Sequence, residues 1–229
     1  MTAATEPVAA AGAALRIDVV SDVVCPWCYL GKRRLARALD AGIGADVEVG
    51  WRPFRLDPTI PPDGIPREQY LTRKFGSLDA VAPMHQRLAA LGAEEGIDFR
   101  FEGIGRAPDT VDAHRLIAWA GARGMADAMV ERLFAAYFTE GRDIGERRVL
   151  VRLAAEAGLD DPDIGDRLAG EEDRDTVVGE IDRARRIGVT GVPCFILDGR
   201  YAVMGAQPPE TLAAAIGQAL AERSTAVRS

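Results

Sequence analysis

The feature that most constrains the fold of this chain is a CPWC motif at residues 25–28, which lies where a strand is predicted to run into a helix. Residues 15–20 form a β-branched and mostly apolar run, which predicts a buried strand. Residues 29–40 carry leucine and alanine at helical spacing, which predicts a helix. Two sulfurs one helical turn apart at such a junction favour redox chemistry over metal binding.

The order of the two cysteines predicts different roles for them. If Cys25 is the N-cap or the first residue of the helix, Pro26 occupies the first turn, where its missing N–H and fixed φ are tolerated. The free amides and the positive end of the helix dipole then favour the thiolate of Cys25. Cys28 lies one turn deeper and is more shielded, so we expect Cys25 to attack a disulfide and Cys28 to resolve the mixed disulfide. Trp27 is expected to shape the approach of a substrate and, with Pro26, to tune the stability of the thiolate.

Two other roles are open to such a pair of cysteines. Both could be buried structural residues, which are common in cores, but a structural pair needs neither a proline between its members nor a helix start beneath them. They could also be half of a zinc site, which requires two more ligands. The chain offers only Cys194, His85 and His114, without a second CxxC or an HxxxH. The sequence therefore favours a redox pair and no metal.

A second motif lies far downstream, at residues 188–193 (GVTGVP). Residues 195–197 and 201–204 predict two short strands, and the Asp198-Gly199 dipeptide between them is a strong hairpin signal. Pro193 opens the first of these strands, a position that suits a strand start or a cis peptide bond in a tight turn.

Together, the strand, the CPxC on a helix and the later Gly-Val-Pro before a hairpin resemble the thioredoxin fold. The chain is most similar to the DsbA-like family of the FrnE type, over about residues 16–221, in six stretches: DVVCPWCYLGKRRL, WRPFRLDP, DAHRL, LFAAYFTEGRDIG, GVTGVPCFIL and GAQPPE. The resemblance implies that Val192 and Pro193 form the cis pair beside the CxxC. It also implies that their backbone binds an extended substrate segment by strand addition.

The remaining pattern predicts an α/β, thioredoxin-like fold with a large inserted all-helical subdomain. Residues 46–51 predict a second strand, after which five prolines mark an irregular linker. Residues 97–101 alternate like a strand but could equally be an extended arm. Helices are predicted over residues 67–75, 81–95, 110–123, 126–140, 147–157, 164–169, 174–187 and 208–222. The predicted organisation is a disordered tail over 1–14, a thioredoxin-like domain over 15–62 and 188–224, and the helical insert over 63–187.

Composition limits the compartment and the partners. The 229 residues carry a net charge of −7 and no basic tract, which argues against nucleic-acid binding. No apolar run approaches the length of a membrane span. The first fourteen residues lack the basic start of a secretory signal, which predicts a cytoplasmic protein. Since the cytosol keeps thiols reduced, the pair is expected to cycle between its two states. Three cysteines in all exclude a disulfide scaffold.

Four further features have simpler structural interpretations. Cys194 is expected to be a small buried hydrophobe, the alternative being a third redox thiol. We expect His114 to make a structural hydrogen bond and His85 to be solvated. The aromatic residues of the predicted helix 126–140 are expected to form the core of the insert rather than a substrate groove: Phe134, Tyr137 and Phe138.

The leading functional hypothesis is a thiol–disulfide oxidoreductase that acts on a protein or a small-molecule disulfide, with no cofactor beyond glutathione as reductant or co-substrate. The alternative is a glutathione-dependent enzyme of the related kappa-class transferases or 2-hydroxychromene-2-carboxylate isomerases. Those typically carry serine at the position of Cys25 and no resolving cysteine, so this chain departs from them at both sites. A chaperone or binding module is a third interpretation. The sequence leaves monomer and homodimer open.

Overall fold

The computed structural model describes residues 14–40 and 47–226. Within this part, the strands are β1 (Leu15–Ser21), β2 (Val47–Pro53), β3 (Ile65–Pro66), β4 (Arg106–Ala107), β5 (Cys194–Leu197) and β6 (Tyr201–Met204). The helices are α1 (Pro26–Asp40), α2 (Arg67–Phe75), α3 (Leu78–Glu94), α4 (Val111–Gly121), α5 (Ala126–Phe138), α6 (Arg147–Glu156), α7 (Ile164–Ala169), α8 (Arg174–Arg186) and α9 (Pro209–Ala226), with a short 3-10 turn at Phe101–Gly103. The predicted α/β class and the long helical block between β2 and β5 are confirmed.

Four strands form the main sheet, in the order β2-β1-β5-β6. β1 pairs with β2 in parallel, so α1 has to carry the chain from one end of the sheet to the other. β5 is antiparallel to β1 and to β6. Asp198 and Gly199 both have positive φ between β5 and β6, and the Arg200 N–H donates to the Leu197 carbonyl at 2.9 Å across them, which confirms the predicted hairpin. β1 therefore lies inside the sheet, between β2 and the β5–β6 hairpin.

Inside the helical block, the main differences from the predicted pattern are the start of α3 and an added pair of short strands. α3 begins at Leu78 rather than at residue 81, because the side chain of Ser77 accepts a hydrogen bond from the Ala80 N–H at 3.2 Å and caps the helix. β3 and β4 form a two-residue antiparallel pair within the otherwise helical insert. These are small additions to the predicted architecture.

Residues 97–100 form an extended arm that leads into the 3-10 turn at Phe101–Gly103, and an extended arm is one of the two alternatives that the sequence left open. Ile97, Phe99 and Phe101 are buried while the residues between them are exposed, so the alternation is real. No ladder forms along the arm, and Arg100 instead donates its N–H to the carbonyl of Phe138 at the end of α5. The arm thus packs against α5 rather than joining a sheet.

The sheet and the insert have separate hydrophobic cores, and α1 contributes to both. Leu35 and Ala38 pack with strand residues and with α9 in one cluster. Cys28 and Tyr29, near the start of the same helix, belong to a larger cluster whose other members come mainly from the insert. The insert therefore packs around the end of α1 that carries the CPWC motif.

Two other expectations concern the ends of the chain and membranes. The tail predicted over residues 1–14 lies outside the described residues except for Ala14, and the proposed domain boundaries stay a prediction. Among the helices that the structure describes, none combines the length and the apolar character needed to cross a membrane.

Candidate functional site

The turn between β1 and α1 places Cys25 at the start of the helix. The N–H of Cys25 donates to the carbonyl of Asp22 at 3.0 Å, which closes the turn. The carbonyl of Cys25 then accepts the N–H groups of Cys28 and Tyr29, at 3.0 and 3.3 Å. The helix begins at Pro26, where a proline loses no hydrogen bond. This is the predicted arrangement, with Cys25 at the N-cap.

The two thiols of the motif differ in their environment. Cys25 is 4% exposed and Cys28 1%, and both are free thiols. Burial, followed by the hydrogen bond and the charge of Cys25, raises the pKa of Cys28 well above its ordinary value. The Ser21 hydroxyl and the N–H of Asp22 offset part of this rise. Cys28 is therefore a protonated thiol in the reduced protein, and Cys25 is the more exposed of the two residues.

A loop from the far end of the chain meets the helix at this point. The peptide bond between Val192 and Pro193 is cis. The thiol of Cys25 donates a hydrogen bond to the carbonyl oxygen of Val192, with 3.7 Å between sulfur and oxygen. On α1, a Cβ added at Gly31 would lie 2.8 Å from Cγ of Pro193 and 3.2 Å from Cζ of Phe195. The glycine thus permits the close approach of this loop to α1.

The packing role of Gly31 was not predicted from the sequence. A glycine inside a helix costs about 1 kcal/mol relative to alanine, and it lies one turn after the CPWC motif. That combination could have indicated a packing requirement.

Asp22 and His114 lie behind the motif, where the turn, the loop after β2 and α4 meet. The Asp22 side chain is buried, and its Oδ2 accepts the N–H of Leu56 at 2.8 Å. Nε2 of His114 lies 3.0 Å from the carbonyl oxygen of Phe54 and 3.6 Å from Oδ1 of Asp22. The structural hydrogen bond expected of His114 is therefore present. Asp22 was missed, although an aspartate among apolar residues three positions before Cys25 was a usable signal.

Comparison with known proteins now decides the family. A family model described as the DSBA-like thioredoxin domain matches residues 16–217. This chain belongs to the DsbA-like family. The fold class inferred from the resemblance, a thioredoxin-like fold with a helical insert, is thereby confirmed; the FrnE-type subgroup stays a prediction.

Three similar proteins illustrate the range of the family. A probable DsbA oxidoreductase from Streptomyces coelicolor is 37% identical, with a TM-score of 0.83 over 91% of each chain. The uncharacterized protein YwbO of Bacillus subtilis (strain 168) is 30% identical over 207 residues, which cover 88% of this chain and 96% of YwbO. The cytosolic disulfide reductase DsbM of Pseudomonas aeruginosa, in its structure with GSH, is 25% identical, with a TM-score of 0.66 over 90% of this chain and 99% of DsbM.

Half-buried apolar side chains pack against the large hydrophobic cluster to which the two cysteines of this DsbA-like chain belong. Trp27 is one of them, and the guanidinium of Arg87 lies 5.9 Å from the centre of its ring. Others include Val24, Leu56, Met84 and Val192.

The third cysteine of this DsbA-like chain lies elsewhere. Cys194 is buried in a different cluster from Cys25 and Cys28, with Val20, Phe54 and residues of α8 and its following loop. Burial raises its pKa. The interpretation as a small buried hydrophobe is confirmed for its position. Among the described residues, no group of three or more His, Cys, Asp or Glu side chains could hold a metal ion.

His85 differs from its prediction, whereas the aromatic residues of α5 agree with theirs. The ring of His85 is half-buried and stacks on Phe101 with centroids 4.0 Å apart, so it is not simply solvated. Burial and the charge of Arg67 lower its pKa. Phe134, Tyr137 and Phe138 are buried in the core of the insert, as expected.

Charged groups fix α1 of this DsbA-like chain against α5. Nζ of Lys32 lies 2.9 Å from Asp127 and 3.0 Å from Glu131. The hydroxyl of Tyr29 donates to Glu131 at 2.8 Å, and its ring stacks on Phe134 with centroids 5.0 Å apart. The helix that carries the thiols is thus tied to the insert by polar contacts as well as by the shared core.

Proposed function

We propose that this DsbA-like chain is a thiol–disulfide oxidoreductase that works through Cys25 and Cys28. The observation that carries the proposal is a pair of free thiols at a helix start, of which the outer one faces the cis-proline loop and the inner one is a buried protonated thiol. A structural pair would not need this asymmetry.

The chemistry follows from the positions of the two sulfurs. The Cys25 thiolate attacks one sulfur of a substrate disulfide, and the other substrate sulfur leaves as a thiolate. Cys28 then loses its proton and attacks the Cys25 sulfur, which breaks the mixed disulfide and releases the second substrate thiolate. The enzyme dithiol loses two electrons, and the substrate disulfide gains them. The reverse sequence oxidises a substrate dithiol.

The neighbouring residues assist this exchange. The Val192 carbonyl, which faces the Cys25 thiol, lies in a backbone segment that can pair with an extended substrate. The half-buried Trp27, directly after Pro26, can cover an apolar group of the substrate. Pro26 fixes the first turn of the helix and so the position of Cys25.

We further propose that the protein works in the cytoplasm as a disulfide reductase and that glutathione reduces it. The similarity to DsbM, a cytosolic disulfide reductase whose structure was solved with GSH, supports this assignment. The described helices contain no membrane span, which is compatible with it. No other cofactor is required for the exchange.

The test is the redox equilibrium of the purified protein in a series of glutathione buffers, read by thiol alkylation and mass. We expect a reversible loss of two hydrogens confined to Cys25 and Cys28. A Cys28→Ser variant should instead accumulate a glutathione adduct on Cys25, while Cys194→Ala, the matched control, should leave the couple unchanged. If the unaltered protein forms only a stable adduct on Cys25, a glutathione-dependent transferase or isomerase becomes the better interpretation.

A further inference from the structure

A cation without a partner lies over the tryptophan of the CPWC motif. Trp27 follows Pro26 in the first turn of α1 and is half-buried. Arg87 is an exposed residue of α3, and the carbon atom of its guanidinium lies 5.9 Å from the centre of the Trp27 ring. An arginine over an indole ring is attracted by the electrons of the ring, which favours one position of a long side chain. The contact therefore brings a positive charge to a residue that stands between the two cysteines.

The basic residues of α1 differ from Arg87, because each of them has a carboxylate partner. All four form ion pairs at distances between 2.5 and 3.3 Å: Lys32, Arg33, Arg34 and Arg37. Within the described part of the chain, the guanidinium of Arg87 makes no ion pair and no hydrogen bond. A guanidinium that lies over a ring can still donate its N–H groups from its edge. Arg87 is therefore ready to bind an acceptor that the chain itself does not supply.

The sequence around Arg87 also lacks a carboxylate at the positions that could pair with it on the same helix. Residues three and four positions away are not acidic: Pro83, Met84, Ala90 and Leu91. The whole chain carries a net charge of −7 and so repels anionic molecules at long range. A lone cation beside the motif opposes that repulsion locally, within about 8–10 Å at ordinary salt concentrations.

The position of Trp27 connects this cation with the reactive sulfur. Trp27 is two residues after Cys25, the residue that joins the substrate in the proposed mixed disulfide. A substrate group a few bonds away from that sulfur can reach the guanidinium over the Trp27 ring. A carboxylate suits the guanidinium best among common groups, since its two oxygens accept two parallel hydrogen bonds from the planar N–H donors.

We propose that Arg87, held over Trp27, is a specificity-determining residue that binds a carboxylate of the disulfide substrate while the substrate reacts with Cys25. The inference rests on the proposed function and adds the charge of the substrate to it. Arg87 takes no part in the bonds that change. The Cys25 thiolate forms a bond with one substrate sulfur, the bond between the two substrate sulfurs breaks, and the other sulfur leaves as a thiolate.

The experiment compares three small disulfides that have the same ethylene arms and differ in charge. Dithiodipropionate carries carboxylates, hydroxyethyl disulfide is neutral, and cystamine carries ammonium groups. The reduced full-length protein is mixed with an excess of each at neutral pH and quenched with acid, and the loss of the free Cys25 thiol is read by alkylation and peptide mass. Each rate is divided by that of the unaltered protein, so that the intrinsic reactivity of the probe cancels.

Arg87→Gln removes the charge and Arg87→Lys keeps it. We expect Arg87→Gln to slow the reaction with dithiodipropionate about fivefold, the upper value for an ion pair in contact with water, and to quicken the reaction with cystamine about twofold. The rate with hydroxyethyl disulfide should stay the same, and Arg87→Lys should restore most of the rate with dithiodipropionate. The effect should fade between about 0.01 M and about 1 M salt, because the Debye length falls from about 30 Å to about 3 Å.

Arg200→Gln is the matched control. Arg200 is also exposed, with its guanidinium carbon 5.4 Å from the centre of the Tyr201 ring and no ion pair to another described residue. It follows the hairpin turn, and the pairing of Leu197 with Ile17 places that turn at the end of β1 opposite to Cys25. The variant removes the same charge from the chain at a distance from the dithiol and should leave the preference among the probes unchanged.

Two further pairs of probes distinguish the source of the carboxylate. Glutathione disulfide is compared with its ethyl ester, and a peptide disulfide with glutamate beside its cysteine is compared with the same peptide carrying glutamine. A loss of rate in Arg87→Gln that is confined to the acidic member of the first pair supports the inference for small thiol compounds. A loss confined to the acidic member of the second pair supports it for polypeptides.

Three results would overturn the inference. Equal slowing of all three small probes in Arg87→Gln would assign Arg87 a packing role over Trp27. An unchanged preference in Arg87→Gln would show that no carboxylate binds there, and the same loss in Arg200→Gln would attribute the preference to net charge. In each case the neutral probe still reacts with the unaltered protein. If none of the probes reacts with its Cys25, the proposed function itself fails.

Discussion

Replacing Gly31 by alanine tests whether the cis-proline loop is held against α1 by close packing. The new Cβ would lie 2.8 Å from Cγ of Pro193 and 3.2 Å from Cζ of Phe195, closer than carbon atoms normally approach. Neither neighbour is the end of a flexible chain: one is a proline ring and the other is the tip of a buried aromatic ring on β5. The loop, and with it the Val192 carbonyl beside Cys25, has to move away.

The magnitude combines two opposed effects. Overpacking a core by a methyl group costs about 1–3 kcal/mol, whereas alanine is favoured over glycine in a helix interior by about 0.8–1 kcal/mol. The expected net effect of Gly31→Ala is a loss of about 1 kcal/mol in the free energy of unfolding. Gly217→Ala provides the matched control, because that glycine lies within α9 and its added Cβ would contact nothing within 4 Å. It should gain about 0.8–1 kcal/mol.

The assay is urea unfolding of the reduced proteins, together with the rate of the first thiol–disulfide exchange at Cys25. Gly31→Ala should lower the unfolding midpoint and change that rate, while Gly217→Ala should raise the midpoint and leave the rate alone. If the two alanine variants were stabilised equally, the contact between α1 and the loop would not be tight, and Gly31 would have no packing role.

Three further predictions concern the thiols and the insert. Iodoacetamide at neutral pH should modify Cys25 in the folded protein and reach Cys28 and Cys194 only after unfolding. Equal labelling of the three cysteines in the folded protein, read by mass analysis of the peptides, would show that Cys28 and Cys194 are not less accessible than Cys25. Because the pKa values of Cys28 and Cys194 are raised in the folded state, their contribution to stability is present below the ordinary thiol value of about 8.5 and is lost as the pH rises through the folded values. Denaturation curves of the reduced protein should therefore shift to lower urea above that pH, and less so in Cys194→Ala. Arg115→Met should lower the free energy of unfolding by about 3–5 kcal/mol, since the buried guanidinium bonds four carbonyls and Asp112; a loss below about 1 kcal/mol would refute this role.

The parts of the fold that the sequence predicts well are those that local chemistry determines. The proline after Cys25 marks the first helical residue, and the Asp198-Gly199 dipeptide marks the hairpin, because each acts through its own backbone preferences. Periodicity placed α2 and α7 at their observed bounds. At α3, by contrast, a capping serine extended the helix beyond its apolar pattern.

The groups behind the dithiol were harder to predict, because contacts between distant segments decide their roles. Asp22 looks in the sequence like an ordinary turn residue, and only the approach of α4 shows that it is buried against His114. His85 lies on an amphipathic helix, where exposure is the natural expectation, and its stacking on Phe101 depends on an extended arm that periodicity could not distinguish from a strand. Neither burial follows from the residue's own neighbours in the chain.

The helical insert also contributes to the environment of the two cysteines of the CPWC motif. Cys25 and Cys28 share a hydrophobic cluster with α4 and α5 of the insert, whereas Leu35, two turns further along α1, packs in the core of the sheet. Burial is the largest cause of the raised pKa of Cys28, and the cluster in which Cys28 is buried consists mainly of insert residues. If the proposed exchange is correct, we expect the packing of α4 and α5 to affect the reactivity of Cys28 as well as the two residues between the cysteines. Substitutions in the insert that contact no substrate should for that reason alter the resolution step.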